Sequence, residues 1–238
     1  MTNPYDAFEQ VIFSVFDAPV DQVASTVHRR WRESDNGRDS DAGDRYQLDR
    51  VGMDLRYAYD RRPKPMTQHG WGPSQLLFWE PVSSPNHTVM MTNATCGNSH
   101  AVFRMSEEVP WECIHIRLLD RDGEPENFMF NYYRDYRQIA RSLGVGQEEN
   151  GRWLFCADGP VQPFEDVSHY KRRRIVERLN RRIITEYLGR LNYEIMDDDF
   201  WTSTSKAWLL WDNCLGQRST PGRDGIDEDG TRSRNSIR

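Results

Sequence analysis

Lysine is almost missing from this chain: three lysines stand against 28 arginines in 238 residues. The bias runs the whole length, so it reads as the codon usage of a GC-rich genome rather than as selection for bidentate anion recognition. Long apolar runs are missing too. None approaches the ~18 residues needed to cross a bilayer, and Met1 to Asp6 lacks the basic-then-apolar order of a signal peptide. The expectation is a soluble cytoplasmic protein with no membrane contact.

Close cysteine pairs are also absent. Cys96, Cys113, Cys156 and Cys214 are far apart, which excludes compact zinc and redox motifs and leaves buried thiols as the natural reading. His69, His87 and His100 form no metal-ligand spacing with Cys96, so no metal is expected. Gly70-Trp71-Gly72 and Gly144-Val145-Gly146 are isolated glycine pairs, extending neither to a phosphate loop nor to a dinucleotide fingerprint. Thr95 to His100 lacks the Gly-x-Ser-x-Gly elbow of a nucleophile loop. No cofactor is expected.

What the chain does have is sorted charge. Residues 171 to 190 hold Lys171, Arg172, Arg173, Arg174, Arg178, Arg181, Arg182 and Arg190 against Glu177 and Glu186, a net +6 in a protein of net −6. The remainder therefore carries −12. Such a dipolar surface steers charged partners without naming them. At 100° per residue, Ile175, Val176, Leu179, Ile183, Tyr187 and Leu191 share one face and Arg174, Arg178, Arg181 and Arg182 the other. The spacing predicts one long amphipathic helix ending near Gly189 and Asn192, with an arginine face directed to solvent or to an anionic partner.

Elsewhere, Glu9 to Phe16 is almost continuously apolar and suits a strand buried on both faces. A helix from Asp17-Ala18-Pro19 to about Trp31 follows. Ser34 to Arg45 has almost no apolar residue and reads as a mobile loop. Strands are predicted at 53–60, 75–80 and 87–92, and a hairpin at 112–119 and 127–133 with Asp122-Gly123 in its turn. A short helix is predicted from Arg134 to Leu143, stopped by Gly144, and a strand over 151–157. The segment 200–211 fits helix and strand equally, and Gln217 to Arg238 reads as a disordered tail. Strands at 75–92 and 112–133 lie too close for helical crossovers. The fold class expected is α+β, a largely antiparallel sheet with helices packed on it, as a single domain over 1–216.

Chemistry has two candidates. In the predicted strand, Cys113, His115 and Arg117 share a face opposite Ile114, Ile116 and Leu118. His115 there is either an acid or base or, more commonly, a satisfied sheet histidine. Glu165 and Asp166 precede the basic helix, a helix entrance that also offers a carboxylate. Most of the eight tryptophans belong in a core, while Trp71, in a Gly- and Pro-rich loop, and Trp208 beside Trp211 suit interface anchors.

The resulting expectation is a non-catalytic protein-binding protein of the bacterial cytoplasm, of the immunity or antitoxin inhibitor type, that meets its partner through Arg174, Arg178, Arg181, Arg182 and Trp71. The alternatives are an enzyme on a phosphate-bearing substrate, with His115 or Glu165 as base, and a nucleic-acid-binding module. A net acidic chain of pI 5.6 ranks nucleic acid below protein as partner.

Overall fold

The computed structural model describes residues 10–35, 46–55, 58, 75–92, 102, 105, 109–119, 127–134, 138–148 and 150–212. Its frame is one nine-stranded sheet: β1 (Gln10–Phe16), β2 (Tyr46–Val51), β3 (Gln75–Trp79), β4 (Thr88–Thr92), β5 (Cys113–Leu119), β6 (Asn127–Arg134), β7 (Gln138–Gln147), β8 (Trp153–Asp158) and β9 (Ala207–Asp212). The order is β2-β9-β3-β4-β1-β5-β6-β7-β8, and every pairing is antiparallel. Among the described residues, the helices with defined bounds are α1 (Val20–Asp35) and α2 (Arg181–Arg190).

β1 lies at the centre, which is why its sequence is apolar at nearly every position. Val11, Phe13 and Val15 enter a core on one face, with Leu77, Trp79, Ile114, Phe130 and Leu143. Phe16 joins a second core on the other face, with Leu76, Phe78 and Met90. The period-2 alternation of β-strands thus divides the sheet's side chains between two layers. Val20, Val23, Ala24 and Val27 of α1 cover the second core. Ile183, Ile184, Tyr187 and Leu188 of α2 cover the first.

Strands β1, β3, β4, β5, β6 and β8 lie where the sequence pattern predicts them, and the expected 112–133 hairpin is the β5–β6 pair. Four other points differ from the sequence reading or complete it: three corrections and one segment left open. Of the strand expected over 53–60, the described residues Met53, Asp54, Leu55 and Ala58 are not in a strand and the rest lie outside the described residues; a strand forms instead at Tyr46–Val51, selected by its pairing from Tyr46↔Asp212 to Val51↔Ala207 with the apolar β9, a long-range partner that no local pattern reveals. The segment 200–211, ambiguous in sequence, is a 3₁₀ turn (Asp198–Trp201) followed by β9. The helix expected at 134–143 gives way to strand: Arg134 ends β6, 138–143 belong to β7, and 135–137 lie outside the described residues. Its alternation of Arg141, Leu143 and Val145 against Ser142, Gly144 and Gly146 fits a strand. Gly144 is therefore no helix stop, and at Gly146 a Cβ would stand 3.1 Å from Asn127 Nδ2.

The basic segment is the fourth. Instead of one helix over 171–190, the chain makes 3₁₀ turns at His169–Lys171 and Ile175–Glu177 before α2 begins at Arg181. Extended residues at Arg172 (ψ 143°) and Arg174 (ψ 126°) interrupt the helical path. Asn180 is also extended, and its side chain accepts from Ile183 N at 3.1 Å, so the helix starts anew at that cap. At the far end Asn192 adopts a left-handed φ of 66°. Tyr193 N donates to Leu188 O and Asn192 N to Gly189 O, the two bonds of a Schellman stop. The helix thus stops near Gly189 and Asn192 as the sequence predicts, with Asn192 supplying the left-handed residue.

Trp79 and Trp201 are buried, with their indole N–H groups bonded to Phe200 O (3.0 Å) and Ile195 O (2.8 Å). Trp208 donates to Asp21 Oδ1 at 2.7 Å, beneath the Arg50 guanidinium. That makes it an internal brace between α1 and β9. Ser34 and Asp35, expected in the mobile loop, form the end of α1. The rest of that loop, the 217–238 tail and Trp71 lie outside the described residues. No helix among the described residues is long and apolar enough to cross a membrane.

Candidate functional site

The basic segment is held onto the sheet by a buried ion pair. Arg141 of β7 and Glu165, their side chains 3% and 0% exposed, meet with Nη2 to Oε2 at 2.8 Å. Arg141 Nε also donates to both Glu165 oxygens, at 2.9 and 3.1 Å. Its Nη1 donates to the carbonyls of Asp158 and Gly159. Glu165 accepts further from Gln162 N at 2.8 Å and from the Tyr170 hydroxyl. A buried pair persists only when its remaining polar atoms are satisfied in this way. Burial opposes the Arg141 charge, and the hydrogen bonds to Glu165 and Tyr170 more than offset it, holding the guanidinium above its usual pKa.

Around this pair lies an aromatic seal. The Tyr187 hydroxyl stands 3.3 Å from that of Tyr170, and burial raises the pKa of both phenols. Phe164 packs on Phe130, Tyr132 and Tyr187. Buried His169 stacks on Tyr187, with Nε2 3.5 Å from Asp166 Oδ2. Burial, then the charge of Arg172, keeps this imidazole below its ordinary pKa. The chain thus leaves a fixed anchor at 164–170 and runs directly into Lys171.

From there the basic residues divide by role. Arg172 Nη1 donates to Glu177 O and Arg178 Nε to Arg172 O, each at 3.0 Å, and the Arg178 guanidinium lies 5.8 Å over Phe155. These two arginines fold the segment. Arg174, 80% exposed, has Glu177 at 3.6 Å, while Arg182 pairs with Glu186 one turn along α2. Lys171 and Arg173 are exposed and make no ion pair with a described residue. Arg181 and Arg182 occupy the first turn of α2, which has no acidic residue, so their charge adds to the positive end of the helix dipole instead of cancelling it. Of the expected site residues, Arg174, Arg178, Arg181 and Arg182 therefore fall on one segment but not on one helical face, and Trp71 lies outside the described residues.

Neither expected base is reachable. His115 is completely buried, with Nδ1 2.8 Å from Ser14 Oγ and Nε2 without a hydrogen bond. Burial, then the charge of Arg117, lowers its pKa to about 4. The face-sharing of Cys113, His115 and Arg117 is as expected from alternation, and Ser14 and Asn131 flank His115 in register. Cys113 is buried and its thiol pKa is pushed up, whereas Cys156 is exposed. A recess of about 260 Å³ on the outer side of α1 is lined by Ser25, His28, Arg29, Arg32 and Glu33. His28 Nε2 there bonds the Tyr46 carbonyl at 2.9 Å. No cluster of three metal-ligating side chains occurs among the described residues.

The anchor escaped sequence reading because Arg141 and Glu165 lie 24 residues apart, each inside a segment assigned to another purpose. The only local signal is a lone arginine ahead of Leu143 and Val145, at a position that their alternation places on the core face. Comparison of the chain with protein-family models, with curated proteins and with solved structures finds no match.

Proposed function

We propose that this is a non-catalytic protein-binding protein that receives an acidic partner protein on its basic segment, 171–182. The observation that carries the reading is that Lys171 and Arg173 stand exposed and without ion pairs to described residues on a segment clamped by the Arg141–Glu165 pair. Among the described residues, Arg174 and Arg182 on the same segment have only part-exposed carboxylate partners, weak enough to be exchanged for a partner's. A preorganised charged surface gains association rate and specificity without ordering cost. An inhibitor of the immunity or antitoxin type in a bacterial cytoplasm is the specific form we infer, within an α+β fold in which α1 and α2 back the two faces of the sheet.

The enzymatic alternative required His115 or Glu165 as base, and the burial of both favours the binding reading over it. The test is capture from extract of the source cells with tagged wild-type protein and with the variant Lys171→Glu/Arg173→Glu/Arg174→Glu/Arg182→Glu. An acidic protein in stoichiometric amount is expected on the wild type, and its loss on the variant. Equal capture by both, or nucleic acid as the retained species, rejects this function.

A further inference from the structure

The sheet ends at β8, and this edge is built differently from other parts of the molecule. Its residues Trp153 to Asp158 run in unbroken register against β7, with no proline, lysine or bulge, the devices that ordinarily guard an edge strand. The opposite edge, β2, carries Asp49 and Arg50. Among the described residues, only Arg141 reaches a β8 carbonyl from a group outside the β7 ladder, and that is Asp158 at the strand's end.

The side chains of β8 divide by alternation. Trp153 and Phe155 pack inward against the first core, so the alternate residues Leu154, Cys156 and Asp158 face the other way. Leu154 is 37% exposed, and Cys156 and Asp158 are exposed. Arg152, also exposed, continues the same row, since Glu148 N donates to the Arg152 carbonyl and so extends the ladder by one pair. The row therefore reads basic, apolar, apolar, acidic.

That order is self-complementary. If two copies of β8 pair antiparallel with Phe155 on the two-fold axis, Arg152 falls opposite Asp158 of the partner subunit and Leu154 opposite Cys156 of the partner subunit, and each pair occurs twice. We propose that β8 is a homodimerisation edge that joins two sheets into one continuous sheet, with a second copy of this chain as its occupant. A two-fold contact must match a surface to itself, and a row with opposite charges at its ends and apolar residues between them does so in this register. A contact confined to one strand edge is smaller than a standard interface, so the equilibrium is concentration-dependent in the micromolar range.

Sedimentation velocity on the full chain tests this with wild type, Leu154→Lys, Arg152→Asp, Asp158→Arg and the charge swap Arg152→Asp/Asp158→Arg, each shown to be folded by circular dichroism. Wild type is expected to pass from monomer to dimer with concentration. Leu154→Lys and each single charge reversal should raise the dissociation constant about tenfold or more, equivalent to about 1.4 kcal/mol. The charge swap should return it towards wild type. A wild type monomeric throughout the micromolar range overturns the proposal, as does a dimer unaffected by Leu154→Lys and Arg152→Asp, or a charge swap as weak as the two single changes combined.

Discussion

Arg141 and Glu165 meet in a buried, multiply hydrogen-bonded ion pair at 2.8 Å, joining an interior strand to the segment that carries most of the molecule's sorted positive charge. The pair sits where the chain leaves β8, so it fixes the direction in which residues 164–178 cross the sheet. Its role is geometric: it turns an arginine-rich stretch into a surface with defined positions.

Removing one partner should be costly. Arg141→Met leaves Glu165 as an uncompensated buried carboxylate, for which a loss of roughly 3–5 kcal/mol is expected. Arg141→Met/Glu165→Met should recover most of that loss. Urea unfolding of the three proteins measures this, and limited proteolysis should show new cleavage within 160–178 for the single variant. Equal stability of single and double variants would mean that the pair is not coupled.

Gly159 supports the same clamp. Its φ is +82°, a Cβ there would lie 2.4 Å from the Ala140 carbonyl oxygen, and its own carbonyl accepts from Arg141. Gly159→Ala should destabilise by about 1–3 kcal/mol from backbone strain alone, with the clash adding to it. A thermal midpoint equal to that of wild type would contradict a left-handed Gly159 packed against Ala140.

His115 gives the protein an acid-sensitive term in its stability. Its folded pKa, lowered to about 4 by burial and by Arg117, lies below the unfolded value of about 6.5. Between these values the unfolded chain binds the proton and the folded one does not, so stability is fully present above pH 6.5 and falls as the pH drops towards 4. The expected loss from this residue is about 3 kcal/mol across that window. Urea midpoints measured from pH 7 to pH 4 should fall more steeply for wild type than for His115→Gln. Parallel profiles would remove His115 as the cause.

The start of α2 depends on Asn180. Asn180→Ala removes the side-chain acceptor for Ile183 N and should cost about 1 kcal/mol, read as a lower urea midpoint with an unchanged slope. If the 171–190 stretch were one continuous helix, as its periodicity suggests, alanine at this interior position would instead be neutral or stabilising.

The parts of the fold legible in the sequence are those whose pattern is local and strong. β1 shows itself by a nearly continuous apolar run because both of its faces are covered. The β5–β6 hairpin shows itself by alternation, with Ile114, Ile116 and Leu118 on one face. β7 was obscured because Gly144 and Gly146 remove the side chains that would complete its alternation, and Gly144 then reads as a helix stop. Residues 171–180 have genuine helical periodicity, yet hydrogen bonds between Arg172 and Glu177 and between Arg178 and Arg172 hold them in turns. Side-chain bonds to the backbone override propensity there, and periodicity does not register them. The Arg141–Glu165 anchor leaves only an arginine at a core-facing position as its local trace, and the β2–β9 pairing is a long-range fact with none. Basic charge on 171–182 was visible from composition, but its division into folding arginines and exposed ones was not.

On the function proposed above, an acidic partner docks on the basic segment through charge. The most direct test is the dissociation constant of the captured partner, measured against ionic strength for wild type and for Lys171→Glu/Arg173→Glu/Arg174→Glu/Arg182→Glu. These positions leave Arg172 and Arg178 to fold the segment. Docking through charge predicts that wild-type affinity falls steeply with added salt and that the variant binds at least about tenfold more weakly at low salt, with the difference shrinking as salt screens it. Equal affinity and equal salt dependence in the two proteins would contradict it.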